Sequence, residues 1–168
     1  MAETRAFIAL GANLGSPAAQ VERALDELAR LPETRVEARS ALYLSKAEGY
    51  AEQPDFVNAV ALLATRLTPR ALLEALLEIE ARHGRRREFK NAPRTLDLDL
   101  LLYDGLVLHE PGLTLPHPRM CERAFVLQPM SEIAPEQGIP GKGKVADCLA
   151  GLTGMAPLRL PRGDLNAA

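Results

Sequence analysis

Short apolar runs alternate along this chain with stretches in which apolar residues recur every three or four positions. That is the pattern of strands alternating with amphipathic helices. Ala6-Phe7-Ile8-Ala9-Leu10 predicts a first strand, ended by Gly11. Ser16-Pro17 then offers an N-cap and a proline at the first helical position, and Val21, Ala24, Leu25 and Leu28 follow at helical spacing up to Pro32. Arg35 to Leu44 alternates imperfectly and predicts a second strand. Residues 45–54 contain Gly49 and Pro54 and read as a loop, and Phe56 to Thr65 is an apolar third strand. Thr68-Pro69 repeats the cap-and-proline start. Leu72, Leu73, Leu76, Leu77, Ile79, Glu80 and His83 keep helical period, and Gly84 suits the residue after the helix. After residues 85–94, Thr95 to Tyr103 predicts a fourth strand, closed by Asp104-Gly105, with Leu106 to Leu108 positioned to pair back as a hairpin. A short helical run is expected near Val145 to Leu152.

The order strand, helix, strand, strand, helix, strand is the split βαβ pattern. It predicts an α+β, ferredoxin-like βαββαβ fold. Both helices cover one face of an antiparallel sheet, the active site takes the other, and C-terminal additions follow. The 168 residues suit a single domain, with a core at about residues 4–135 and an extension over 136–168.

Polar residues inside this pattern carry the chemistry. Asp97 and Asp99 alternate with Leu96, Leu98 and Leu100, so the two carboxylates share one strand face, roughly 7 Å apart. Like charges on an apolar strand repel, and a divalent cation between them removes the repulsion. Magnesium, a hard ion held by one or two carboxylates plus substrate phosphates, fits. Just before them, Arg82, Arg85, Arg86, Arg87, Lys90 and Arg94 crowd a loop with one acid, Glu88. Guanidinium forks match phosphate oxygens. Cations beside a metal pair are the electrostatic equipment of phosphoryl transfer. His117, held between Pro116 and Pro118, is rigidly presented and suits a nucleotide contact. Phe56 and Asn58 share a strand face, where a ring can stack on a flat heterocycle while an amide reads its edge. Gly138-Ile139-Pro140-Gly141-Lys142-Gly143-Lys144-Val145 is close to a phosphate-binding loop, but Val145 stands where Ser or Thr would hold magnesium and no apolar strand precedes it.

Composition narrows the class. Net charge is −2, so no global field favours nucleic acid. Cys121 and Cys148 are too few for a disulfide scaffold and are expected reduced. No long apolar span or signal segment stands out, and a cytoplasmic chain without membrane contact is expected.

The run Pro93-Arg94-Thr95-Leu96-Asp97-Leu98-Asp99-Leu100-Leu101 closely resembles the signature of the 6-hydroxymethyl-7,8-dihydropterin pyrophosphokinase family of folate biosynthesis. The likeness extends to Gly11-Ala12-Asn13-Leu14-Gly15, Gln53-Pro54-Asp55-Phe56-Val57-Asn58, Leu115-Pro116-His117-Pro118, Arg123-Ala124-Phe125 and Glu132-Ile133-Ala134-Pro135, in order and spacing. The resemblance implies transfer of diphosphate from ATP to the pterin hydroxymethyl group, with release of AMP. It implies that Asp97 and Asp99 hold two magnesium ions. Phe56 and Phe125 would sandwich the pterin, while Asn58, Ser45 and backbone near Gly49 bond its edge. Arg94, with Arg85, Arg87 and Lys90, would contact phosphates. Thr114, His117 and Arg123 would lie on the nucleotide side, with Leu98 near the adenine. Partners would be ATP and the pterin, with the chain a monomer. The loops 45–54 and 84–94 would act as lids. The sequence departs from the family pattern at Asn91, where a tryptophan is common, at Pro118, where a tyrosine is frequent, and at Ala47-Glu48 in place of proline-leucine. The alternative class is a single-stranded RNA-binding ferredoxin-like module, which needs aromatic rings on the sheet face; aromatic content here is 4%.

Overall fold

A computed structural model describes residues 3–46, 55–84, 96–154 and 156–161. The ferredoxin-like plan is present. Strand β1 (Thr4–Ala12) leads into helix α1 (Pro17–Ala29), then β2 (Thr34–Arg39), β3 (Tyr43–Ser45), β4 (Phe56–Thr65), helix α2 (Pro69–Arg82) and β5 (Asp97–Tyr103). In the main sheet β4 and β1 are central, β5 pairs β1 on one side, and β2 and β3 pair successive halves of β4 on the other. All these pairings are antiparallel.

Period-two alternation sorts the core. Ala6, Ile8, Leu10 and Ala12 of β1, with Val57, Ala59, Ala61 and Leu63 of β4 and Leu98 and Leu100 of β5, face α1 and α2. The helices answer with Val21, Ala24, Leu25 and Leu28, and with Leu72, Leu76 and Ile79. Each fully buried leucine or isoleucine contributes about 1.5–3 kcal/mol relative to exposure. Where α2 ends, the buried His83 ring joins α2 to α1 by contacting Gln20 Oε1 through Nδ1 and Glu27 Oε1 through Nε2.

Several expectations change. The strand expected from Arg35 to Leu44 is broken in two. At the break the Ser40 amide donates to the Val60 carbonyl at 2.9 Å, and its hydroxyl accepts from the Val60 amide at 2.9 Å. A serine that bonds the neighbouring strand through its side chain interrupts the ladder. The first strand does not stop at Gly11 but continues to Ala12, because Gly11 is paired on both sides. Ser16 precedes α1 with Pro17 in the first turn, but its side chain makes no capping bond; Thr68 does, accepting from the Ala71 amide at 3.1 Å. The hairpin after β5 lies later than expected: β6 (Leu108–Glu110) pairs β7 (Leu113–Leu115) rather than returning to β5.

The second face of the sheet is only partly open. A helix not foreseen from the hydropathy pattern, α3 (Ala124–Ile133), lays Val126, Leu127 and Met130 over Phe7, Ala9, Val60 and Leu62. Leu101 and Leu102 both join this cluster, because β5 carries one extra residue between its pairings of Leu100 with Ile8 and Leu102 with Phe7. The glycine-rich segment folds as a small hairpin, β8 (Gly138–Ile139) with β9 (Gly143–Lys144), turning at Gly141 with φ 76°. It leads into α4 (Val145–Ala150), and Ile139 and Val145 are buried in the second cluster. Finally β10 (Leu158–Arg159) adds a strand outside β3.

Candidate active site

Among the described residues, the part of the second face that α3 does not cover is the end of the sheet where β1 finishes and β5 begins. Register places Tyr43 opposite Asn58, Asn58 opposite Gly11, and Gly11 opposite Asp97. With strands about 4.8 Å apart, Asn58 and Asp97 stand roughly 10 Å from each other across a residue with no side chain. Gly11 is therefore the floor of a trough walled by an amide on one side and carboxylates on the other. A Cβ there would come 2.9 Å from Asn58 Nδ2 and 3.9 Å from the Phe56 ring. This is a glycine inside a strand required by close approach.

Each wall has its own support. Asn58 is buried, and its Oδ1 accepts from Ser45 Oγ at 2.6 Å. That bond turns the Nδ2 donor over Gly11. Phe56 lies opposite Ser45 at the start of β4 and is half-buried. On the far wall, Asp97 and Asp99 are half-buried on the face away from α2, with Asp99 opposite Ala9. The edge of β5 is held between them: the Leu98 amide donates to Glu80 Oε2 of α2 at 2.7 Å, in the buried interior. Leu98 itself packs into the helix-side core, so its side chain is on the opposite face from the carboxylates.

His117 closes the carboxylate side. Its amide donates to the Leu101 carbonyl at 2.9 Å, and its Nδ1 accepts from the Arg119 amide at 3.2 Å. That bond assigns the proton of the neutral ring to Nε2. Burial lowers the His117 pKa below its ordinary value, the Asp99 charge opposes the shift, and Arg123 and Arg119 add to it. The neutral ring is thus a donor beside Asp99 and Arg123. Thr114 is half-buried on β7, between the buried Leu113 and Leu115 and opposite His109.

Phe125, expected from sequence to stack on the pterin, lies at the start of α3 next to Arg123, expected on the nucleotide side. The Arg123 guanidinium carbon lies 5.4 Å from the centroid of the Phe125 ring. Its buried Nε has no hydrogen-bond partner among the described residues. An unpaired buried cationic nitrogen is costly. Ser45, Arg123 and Phe125 line a cleft of about 370 Å³ together with Leu44 and residues 156–158.

The structure thus brings Ser45, Phe56, Asn58, Asp97, Asp99, His117, Arg123 and Phe125 to one end of one sheet face. Arg85, Arg87, Lys90, Arg94 and Gly49 lie outside the described residues, as do most of both expected lids. Among the described residues no group of three or more His, Cys, Asp or Glu side chains gathers as a metal site. The carboxylate pair alone still fits magnesium, whose remaining ligands come from phosphate and water. Two contributors were given no site role by the sequence: Gly11, read as a strand end and as part of the Gly11-Ala12-Asn13-Leu14-Gly15 likeness, and Glu80, an acid on the apolar stripe of α2.

Residues 7–135 match the family profile of 7,8-dihydro-6-hydroxymethylpterin-pyrophosphokinase (HPPK). The chain belongs to the HPPK family. Among curated relatives, the 2-amino-4-hydroxy-6-hydroxymethyldihydropteridine pyrophosphokinase of Pseudomonas aeruginosa is 46% identical, over 94% of this chain and 97% of that one. The enzyme of the same name from Methylorubrum extorquens is 46% identical, over 89% of this chain and 94% of that one. Among solved structures, wild-type Plasmodium falciparum HPPK-DHPS superposes with a TM-score of 0.71 at 12% identity, over 88% of this chain and 44% of that one. At that identity the likeness concerns the fold alone. The HPPK profile ends at residue 135, so α4 and β10 lie beyond it.

Proposed function

We propose that this HPPK-family chain transfers the terminal diphosphate of ATP to the hydroxymethyl oxygen of 6-hydroxymethyl-7,8-dihydropterin. The alcohol oxygen bonds to the β-phosphorus, the bond from that phosphorus to the bridging α-phosphate oxygen breaks, and AMP leaves. The alcohol proton passes to solvent. The observation that carries this reading is the trough over Gly11, with a hydrogen-bonding amide on one wall and two carboxylates on the other. Such a trough suits a flat polar heterocycle beside a charged group, with Asp97 and Asp99 as the residues that would hold magnesium there.

The assignments follow from position. Phe56 and Phe125 stack on the pterin, while Asn58 Nδ2, Ser45 and backbone near Gly49 bond its edge. Asp97 and Asp99 hold two magnesium ions, which neutralise charge on the triphosphate when bound. Arg123 and the Nε2 donor of His117 contact phosphate oxygens, joined by Arg85, Arg87, Lys90 and Arg94. Thr114 belongs to the nucleotide side; Leu98, expected near the adenine, instead turns its side chain into the helix-side core. Positioning and fixed charge supply the catalysis, with no side chain needed as general base. One domain spans the whole chain: burial of Ile139 and Val145 in the second cluster, and the pairing of β10 with β3, support that reading. The chain acts as a cytoplasmic monomer that leaves nucleic acid alone, which the net charge of −2 supports. No described helix is long and apolar enough to cross a membrane. The RNA-binding alternative is not supported, since carboxylates occupy the open face at β5 where stacking rings would be needed.

The test is AMP formation from ATP and the reduced pterin, with and without magnesium. Magnesium-dependent AMP and pterin diphosphate are expected in equal amounts. If the intact chain forms neither, the reading is lost.

A further inference from the structure

Glu132 sits in the last turn of α3, in a motif to which the reading above assigns nothing. Its carboxylate gathers three groups from the far edge of the sheet. The Ala41 amide, in the break between β2 and β3, donates to Oε1 at 3.1 Å and lies 3.2 Å from Oε2. The Tyr43 hydroxyl donates to Oε1 at 2.7 Å. Arg159 of β10 brings a guanidinium nitrogen to 3.7 Å from Oε2. Tyr43 is buried and stands opposite Asn58 in the register. Burial, followed by the bond to Glu132, raises its phenol to about 12, so it remains a donor to Glu132 throughout the neutral range.

These contacts matter because of what the other end of α3 carries. Phe125 and Arg123 lie at its start, and a helix rises 1.5 Å per residue, so Glu132 is about 10 Å from Phe125 along the axis. The apolar contacts of Val126, Leu127 and Met130 hold the helix onto the sheet, but such contacts are non-directional. Directed hydrogen bonds at Glu132 fix how far the helix slides and turns. The partner of that bond, Tyr43, is two residues from Ser45 on the same strand face.

We infer that Glu132 is a positioning residue for the pterin side: it locks α3 to β3, and thereby sets the gap between the Phe125 ring and the Phe56–Asn58–Ser45 wall. Arg159 gives the C-terminal extension a share in this lock. The inference rests on the pterin-binding reading above.

Steady-state kinetics of Glu132→Ala, Glu132→Gln and Tyr43→Phe, together with thermal midpoints, test it. In Glu132→Ala the KM for pterin should rise about tenfold, as for loss of about one directed contact, and the KM for ATP, served by Arg123 at the start of the same helix, should rise less. Glu132→Gln should restore most of the pterin KM, because an amide oxygen still accepts from Tyr43 and Ala41. A purely structural role would lower the midpoint and the active fraction while leaving the pterin KM unchanged, and that result overturns the inference. Should Glu132→Ala not fold, Tyr43→Phe decides: about a threefold rise in pterin KM is expected, and an unchanged value overturns the positioning role. An intact chain that makes no AMP from ATP and pterin would sink the functional reading itself. An active intact chain with insensitive variants would sink only this inference.

Discussion

Gly11 and Asn58 face each other across β1 and β4 so closely that a methyl group on Gly11 would meet the Asn58 amide nitrogen at 2.9 Å. The amide cannot simply swing aside, because its oxygen is held by Ser45 Oγ at 2.6 Å. Gly11→Ala should therefore raise the pterin KM about tenfold, the cost of roughly one hydrogen bond, and lower the unfolding midpoint, since overpacking a buried site costs about 1–3 kcal/mol. Kinetics with pterin varied at saturating ATP check this. An unchanged pterin KM would show that the trough floor is not part of the substrate seat.

Asp97 and Asp99 provide a second test. Chelation of divalent ions should abolish AMP formation, and magnesium should restore it. Asp97→Asn or Asp99→Asn keeps the shape and removes one charge, and should lower kcat by about 10²–10³-fold with the circular dichroism spectrum retained. Full magnesium-dependent turnover in either variant would remove that residue from the metal site.

Tyr43 gives a prediction in alkali. Its phenol ionises at about 12 in the folded chain, against the ordinary 10.0, through burial first and the Glu132 bond second. Between those values the unfolded chain has lost a proton that the folded chain still holds. Stability contributed by the Tyr43–Glu132 contact is therefore complete below the ordinary value and falls as pH rises through the folded one. Absorbance titration should show a late-ionising tyrosine phase that Tyr43→Phe removes. A titration curve that Tyr43→Phe leaves unchanged at its alkaline end would contradict the buried contact.

Glu80 tests the support of the carboxylate strand. It is 2% exposed and accepts the edge amide of Leu98 at 2.7 Å. Glu80→Ala removes that acceptor from a buried amide and should cost about 1–3 kcal/mol in urea unfolding. Glu80→Gln, which keeps an acceptor oxygen, should lose less. Equal stability of Glu80→Ala and the parent chain would mean that the edge of β5 is held by other groups.

Much of the site was legible because it is local. Asp97 and Asp99 share a face whenever residues 96–100 are extended, and Phe56 and Asn58 follow by the same alternation. The basic loop was equally legible as composition, though its placement lies outside the described residues. The seat at Gly11 was not, since a glycine after an apolar run reads as a strand end until the pairings with Asn58 and Asp97 are known. Helix α3 was hidden for another reason: Pro129 inside it and the unbroken apolar run Ala124-Phe125-Val126-Leu127 blur the helical period.

By itself, then, the sequence determined the order of the elements in the βαββαβ core, the faces of single strands and the residue types of the site, because side-chain alternation and helical spacing depend only on neighbours in the chain. Tertiary structure alone decided which part of the second face α3 covers. It turned both Leu101 and Leu102 to that face through an irregular pairing with β1. It also joined Glu132 to Tyr43, residues 89 positions apart. Contacts at such separation are selected by packing of whole elements, and no local pattern encodes them.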